Sequence, residues 1–153
     1  MKLTYIGNKI DNTSIQKLEE LVKKKIPTDY CSFLLENNGG MPEEDYVFDF
    51  SEPDNENNGA TGSDLHYFFN VEQIREWYSN LIHEELIPQN LLPIACDSFD
   101  NAILLNLDPG SDFGTVWFAD HESTKRNAPF WTTVKVANSF SDFLVHLRPM
   151  FDE

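Results

Sequence analysis

Apolar residues recur at helical spacing in four segments of the chain, and each segment carries signals for the start or the end of a helix. In the first segment, Thr13 and Gln16 match a capping box, and the lysines at 23–25 suit a helix C-terminus. The second segment follows Pro27 and stops at residues 38–40, where two glycines make a positive φ inexpensive. We therefore predict two short helices that meet at a tight corner.

The third and fourth segments begin with similar signals. Asn70 and Gln73 form one plausible capping box, and Ser139 and Asp142 form another. The predicted apolar faces of the four helices are Ile15, Leu18, Leu21 and Val22; Tyr30, Phe33 and Leu34; Val71, Ile74, Tyr78 and Leu81; and Phe140, Phe143, Leu144 and Leu147. These faces indicate four amphipathic helices that pack against a core.

Between the helices, apolar and polar residues follow the patterns that are typical of strands. Tyr46, Phe48 and Phe50 alternate with Val47 and Asp49, which predicts one strand. Further strands are predicted at residues 65–69, 92–96, 102–107, 115–119 and 132–137, with turns at 97–101 and 108–110. The order of helix, helix, strands, helix, strands and helix predicts an α+β fold. We expect a single domain over residues 1–153, with an antiparallel sheet flanked by helices.

Acidic residues dominate the middle of the chain. Twenty Asp and Glu lie between residues 26 and 124, against one basic residue, Arg75. The formal net charge of the whole chain is -15 at pH 7. Such a charge repels nucleic acid and anionic membranes and attracts basic partners at long range. Two interpretations remain open, because excess surface acid serves either to steer a basic partner or to keep the protein dispersed.

The location of the protein is predicted from what the sequence lacks. No apolar run approaches the roughly 18 residues of a membrane span, and residues 1–5 lack the apolar region of a signal peptide. We therefore expect a cytoplasmic protein. Cys31 and Cys96 are far apart in sequence and form no CxxC pair, which favours buried, reduced thiols over a disulfide or a zinc site.

One acidic segment resembles a calcium-binding loop only in part. Asp54, Glu56, Asn58 and Gly59 occupy the first, third, fifth and sixth positions of an EF-hand spacing. The twelfth position is Leu65, where a bidentate Glu is required. We therefore predict no metal site here.

Candidate catalytic groups do not form a recognised set. The four histidines are scattered, and the segment Asp120-His121-Glu122 has no identified nucleophile. No sequence motif for nucleotide binding or serine hydrolysis is present. We predict a protein with no catalytic residue and no cofactor, and a hydrolase that depends on His121 remains an alternative.

Several segments, in order along nearly the whole chain, resemble the SMI1/KNR4 (SUKH) family. They are IPTDYCSFL at 26–34, NNGG at 37–40, PQNLLPIA at 88–95, DSFDN at 97–101, GTVWFADHE at 114–122 and VANSFSDFL at 136–144. The resemblance implies a binding module with no catalytic set. Bacterial members of this family commonly act as immunity proteins that neutralise toxins by direct association, and fungal members act as regulatory scaffolds.

The resemblance and the charge together suggest a function and a surface. We expect an immunity protein that binds and neutralises a cognate polymorphic or contact-dependent toxin, a basic protein of nuclease type. The alternative is a regulatory or scaffold domain that holds a cellular protein or a small ligand in a cleft near Gly39 and Gly40. Carboxylates on loops are the predicted partner-binding residues: Glu43, Glu44, Asp45, Glu52, Asp54, Glu56, Asp64, Asp97, Asp100 and Asp112. Tyr46, Tyr67 and Trp117 are candidate aromatic anchors, although strand aromatics more often pack in a core.

Overall fold

Helices and strands follow one another in the computed structural model in the segregated order that the sequence predicts. The structure describes residues 1–54, 59–124 and 129–151, and for residues 52–54 it describes the backbone alone. The helices are α1 (Asn12–Val22), α2 (Thr28–Glu36), α3 (Val71–His83) and α4 (Phe140–Val145). The strands are β1 (Leu3–Thr4), β2 (Met41–Pro42), β3 (Tyr46–Asp54), β4 (Ala60–Leu65), β5 (Tyr67–Phe68), β6 (Leu91–Cys96), β7 (Ala102–Asn106), β8 (Val116–Thr124), β9 (Trp131–Ala137) and β10 (Arg148–Pro149).

Within the described residues, the strands form antiparallel sheets of five, three and two strands. The five-stranded sheet has the order β5-β6-β7-β8-β9, and the three-stranded sheet has the order β10-β3-β4. The remaining pair is β1 with β2. The predicted α+β fold with an antiparallel sheet is therefore confirmed.

The central strands of the larger sheet are buried on both faces, which explains their continuous apolar sequence. Every residue of β6 and β7 is buried. Leu92 and Ile103 belong to the main core, whereas Leu91 and Leu104 belong to a smaller cluster that includes the end of α3. Pro93 interrupts the sequence of β6 where the register shifts, as expected for a proline in a paired strand.

Aromatic side chains join the two larger sheets and α4. The ring of Phe118 on β8 lies 6.0 Å from that of Phe48 and 5.0 Å from that of Phe50, both on β3. Phe143 of α4 packs against Phe48 with a centroid distance of 5.4 Å. These edge-on and tilted contacts add specific geometry to the burial of apolar area.

Two of the predicted helix starts are confirmed and one is wrong. Asn70 and Gln73 exchange side-chain to backbone hydrogen bonds of 2.9 Å at the start of α3, and the side chain of Ser139 caps α4. The predicted box at Thr13 is replaced by a cap two residues earlier. Asp11 has extended backbone geometry, and its carboxylate accepts a 3.0 Å hydrogen bond from the N–H of Thr13.

The strand predicted at residues 65–69 is two strands in different sheets. β4 ends at Leu65 and β5 begins at Tyr67, so the chain passes from the three-stranded to the five-stranded sheet at His66. The N–H of His66 donates a 2.9 Å hydrogen bond to the carbonyl of Cys96, which holds this crossing against β6. The alternation of apolar and polar residues does not show where the chain changes from one partner strand to another.

Residues 38–40 follow the end of α2 with the predicted positive φ at the glycines, and they form a corner that binds three other segments. The Asn38 amide accepts a hydrogen bond from the N–H of Val71 at 2.9 Å and donates one to the carbonyl of Asn8 at 2.8 Å. Gly40 exchanges backbone hydrogen bonds with Phe68 on β5. The corner therefore connects α2, the N-terminal segment, β5 and the start of α3.

Gly39 is required at this corner for two reasons. Its φ is +77°, and an added Cβ would lie 2.5 Å from the backbone nitrogen of Asn70. We predict that Gly39→Ala lowers the free energy of unfolding by about 3 kcal/mol, from left-handed strain and steric overlap together. Urea denaturation followed by circular dichroism measures this loss.

Gly59 provides a matched control for the steric part of that loss. Its φ is +73°, and an added Cβ would meet nothing within 4 Å. Gly59→Ala should therefore lower the free energy of unfolding by only about 1 kcal/mol, from the strain of the left-handed backbone. Equal losses in the two variants would contradict the importance of the close approach at Gly39.

Candidate functional site

The predicted partner-binding carboxylates collect mainly at one end of the β3–β4 hairpin. Glu43, Glu44 and Asp45 precede β3 and are exposed. Tyr46 begins β3 and pairs with Leu65, which ends β4. The three acidic residues therefore lie at the same end of the hairpin as the residues that follow β4.

The turn at residues 97–101, which joins β6 to β7, lies against this end of the hairpin. The carboxylate of Asp64 on β4 accepts hydrogen bonds from the Ser98 N–H at 3.2 Å and from the Ser98 hydroxyl. Asp100 in the same turn is exposed. We name this surface the acidic face and define it by Glu43, Glu44, Asp45, Asp64 and Asp100.

Two cations reduce the negative charge near the acidic face. The Lys2 ammonium lies 3.8 Å from a carboxylate oxygen of Glu43. The Arg148 guanidinium binds both carboxylate oxygens of Asp49 on β3, at 3.0 and 3.2 Å, and this hydrogen bonding lowers the pKa of Asp49. Both pairs are exposed, so each contributes little to stability.

The other predicted carboxylates lie elsewhere. Asp112 is exposed on the loop between β7 and β8, at the opposite end of β7 from the turn at 97–101. Glu52 and Asp54 are in the far half of β3, where only the backbone is described. Glu56 lies outside the described residues.

Asp97 is buried in the turn and does not present its carboxylate at the surface. Its side chain is 1% exposed. It accepts 2.9 Å hydrogen bonds from the N–H groups of Phe99 and Asn101 and from the Asn101 side chain, and a 2.8 Å bond from the hydroxyl of Ser63. Four donors satisfy this carboxylate, so Asp97 organises the turn and is left out of the acidic face.

The same contacts change the description of the turn. The sequence predicts only a turn that carries carboxylates, whereas in the structure Asp97 and Asp64 bind the turn to its own backbone and to β4. An Asp at the start of a turn that bonds to the N–H two residues later is a known local signal. Nothing in the sequence pattern identifies Ser63, on β4, as a further hydrogen-bond donor to Asp97.

His121 extends this hydrogen-bond network. Its Nδ1 lies 2.6 Å from the amide oxygen of Asn101, which also accepts a 2.9 Å bond from the His121 N–H. An amide oxygen only accepts, so Nδ1 carries a proton. The Nε2 atom lies 3.9 Å from Glu122. Among the described residues, neither ring nitrogen contacts a hydroxyl or a thiol.

The candidate aromatic anchors are all half-buried. The Tyr46 hydroxyl lies 3.4 Å from a carboxylate oxygen of Glu44. Trp117 donates a 2.8 Å bond to the hydroxyl of Thr115, and burial is the main cause that raises the pKa of Tyr67 to about 12. These side chains belong partly to the core and offer only part of their area to a partner.

Two of the concave regions on the described surface bear on a small ligand or a partner other than a toxin. A groove of about 880 Å³ lies between the lysines at 23–25 and the β7–β8 loop, with Leu107, Pro109 and Phe113 in its lining. A smaller cavity of about 190 Å³ lies beside Gly40 and Tyr67. Ligand pockets are usually roughly 300–1,000 Å³, so the region near Gly40 is small for a ligand.

No metal-binding cluster or membrane-spanning helix occurs in the described parts of the chain. Over residues 1–54, 59–124 and 129–151, no three His, Cys, Asp or Glu side chains converge closely enough to hold a metal ion. In the same ranges, no helix combines the length and the apolar character that a bilayer crossing requires.

The described helices and antiparallel sheets form an α+β fold. The chain belongs to the SMI1 / KNR4 family (SUKH-1), whose family model matches residues 9–146. The match covers nearly the whole chain and confirms the resemblance seen in the sequence. This family includes immunity proteins, and its domains are generally immunity or binding proteins rather than enzymes. No curated protein sequence matches the chain significantly.

The buried carboxylate gives a prediction for stability. Asp97→Ala leaves the turn amides and the Asn101 side chain without their acceptor, so we expect the free energy of unfolding to fall by about 3 kcal/mol. Asp100→Asn is the matched control, because Asp100 is exposed, has a φ of +66°, and Asn tolerates that conformation. The control should change stability by less than about 0.5 kcal/mol. Denaturant unfolding measures the free energy of unfolding of both variants. An Asp97→Ala variant that is as stable as the original protein would contradict the role of Asp97 in holding the turn.

The thiols give a prediction for alkaline pH. Burial, followed by the charges of Glu19 and Asp29, raises the pKa of Cys31 to about 11, and burial raises the pKa of Cys96 to about 12. The unfolded chain releases these protons near pH 9, before the folded protein does, so the stability should fall as the pH rises from about 9 to 12. Urea midpoints at several pH values measure this loss. The double variant Cys31→Ala/Cys96→Ala should show a shallower decline, and an unchanged slope would contradict the role of the thiols.

Proposed function

We propose that this protein is an immunity protein that binds and neutralises a cognate basic toxin through the acidic face. The observation that supports this proposal is the grouping of exposed carboxylates from two separate segments, the residues before β3 and the turn after β6. The family includes immunity proteins. Between positions 26 and 124 the chain has twenty acidic residues and one basic residue, so the negative charge extends beyond the acidic face.

A basic nuclease-type domain fits this surface by charge. Enzymes that act on nucleic acid carry positive clefts that bind phosphates, and a group of carboxylates presents the same sign of charge as the phosphate backbone. Binding would either cover the catalytic cleft or occupy the positions of the phosphates. Long-range attraction would make the association fast and sensitive to salt.

The direct test is to look for a toxin gene beside the gene for this protein and to co-express the toxin domain that it encodes. Rescue of growth, together with co-purification of the two proteins, is the expected result. A folded protein that neither restores growth nor binds the toxin overturns the proposal.

The acidic face gives a prediction for the rate of association. The triple variant Glu43→Gln/Glu44→Gln/Asp45→Asn should lower the association rate constant for the toxin about tenfold at low salt, because steering depends on these charges. The difference should shrink at high salt, where charges are screened. Surface plasmon resonance at two salt concentrations measures both effects.

A matched control removes the same number of charges elsewhere. Glu76, Glu84 and Glu85 are exposed on α3 and just after it, away from the acidic face. The variant Glu76→Gln/Glu84→Gln/Glu85→Gln should reduce the association rate less than the acidic-face variant does. Equal reductions would indicate that only the total charge matters.

One observation favours the regulatory or scaffold alternative. The groove beside the lysines at 23–25 has a volume of about 880 Å³, which is within the range of ligand pockets, and its lining combines charged residues with Leu107, Pro109 and Phe113. The Lys24 ammonium pairs with Asp108 at its edge, at 3.4 Å. An isolated gene with no toxin gene beside it, and a failure to rescue growth, would favour this alternative.

A further inference from the structure

Phe99 is an apolar side chain in a place where burial within the chain does not explain it. It is 69% exposed, at the tip of the turn between β6 and β7. Its neighbours in the turn are Ser98 and Asp100, which are also exposed. A large aromatic ring held in water does not gain the free energy that burial provides, so a partner that covers the ring would gain it on binding.

The backbone on both sides of Phe99 is fixed by hydrogen bonds. The Phe99 N–H donates to the buried Asp97 carboxylate at 2.9 Å, and the Ser98 N–H donates to Asp64 at 3.2 Å. Asn101 closes the turn with a further 2.9 Å bond to Asp97. The ring is therefore presented on an ordered support, which lowers the entropy lost when a partner immobilises it.

Two carboxylates belong to the turn that carries Phe99 or bind it. Asp64 lies directly under the turn, and Asp100 follows Phe99 in sequence and contributes to the electrostatic environment of Tyr67. The turn thus combines an exposed apolar tip with carboxylates.

We propose that Phe99 is the central anchor of the toxin interface, and that it inserts into an apolar pocket whose rim carries lysine or arginine side chains. This inference rests on the proposed immunity function. A few anchor residues that leave water completely supply most of the affinity of a typical interface, and the carboxylates of the turn would select a partner with cations at the pocket rim. A cation placed over the ring face would gain further attraction from the ring itself.

The test measures binding of the toxin domain encoded by the neighbouring gene to the full-length protein. Phe99→Ala should raise the Kd about 30-fold or more, with most of the change in the dissociation rate. Phe99→Leu keeps an apolar side chain and should give an intermediate Kd. Asp100→Asn should act differently, since it lowers the association rate a few-fold at low salt and leaves the dissociation rate nearly unchanged.

Phe113 provides the matched control. It is 38% exposed on the β7–β8 loop, at the other end of β7 from Phe99. Phe113→Ala should leave the Kd within about twofold of the original protein, because it lies outside the proposed interface. Thermal unfolding of each variant confirms that folding is retained, as expected for exposed positions.

The outcomes separate this inference from the proposed function. If the original protein binds the toxin and Phe99→Ala binds equally well, the anchor is overturned and the immunity function stands. If Phe113→Ala is the variant that loses affinity, the interface lies at the groove and the anchor is again overturned. If the original protein neither binds the toxin nor rescues growth, the proposed function fails and the anchor fails with it.

Discussion

The close approach of the backbone at Gly39 to the start of α3 is the constraint on which the arrangement of the helices depends. A side chain at this position would overlap the backbone of Asn70, so the α2–β2 corner can pack against α3 only with glycine there. The Asn38 amide uses that proximity to bind both the first N–H of α3 and the N-terminal segment. Because β5 pairs with Gly40 on one side and β6 on the other, the corner also orients the edge of the five-stranded sheet.

That edge is next to the acidic face, so the packing of the helices and the proposed binding surface are connected. β6 leads directly into the turn at residues 97–101, and Asp97 folds this turn around its own carboxylate. Ser63 and Asp64 then attach the turn to β4. The exposed groups are therefore held by buried polar contacts, which orders the surface before a partner arrives.

The parts of this architecture that depend on local interactions were predictable from the sequence. The box at Asn70 and Gln73 needs only neighbouring residues, and the alternation in β3 and the apolar run in β6 reflect burial along a single strand. The two-residue strands β1, β2 and β10 were not predicted, because distant segments determine their pairing.

For the candidate site, the sequence predicts only the type of residue, which is an acidic residue on a loop. Asp97 and Asp100 are the same residue type in one turn, yet Asp97 is buried because Ser63 on another strand and Asn101 supply its donors. Phe99 between them has no pattern that distinguishes an exposed ring from a buried one. Acidic loops could be recognised from the sequence, whereas the grouping of Asp64 and Asp100 on one face requires the crossing of the chain at His66.

The pairing of β10 with β3 has a consequence for how the protein is made. Arg148 and its partner Asp49 are 99 residues apart in sequence. A ribosome that adds roughly 5–20 residues per second needs on the order of 5–20 s to make the chain between them. β3 therefore emerges long before the strand that completes its sheet, so the pairing of β10 with β3 forms only after residues 148–149 have been made.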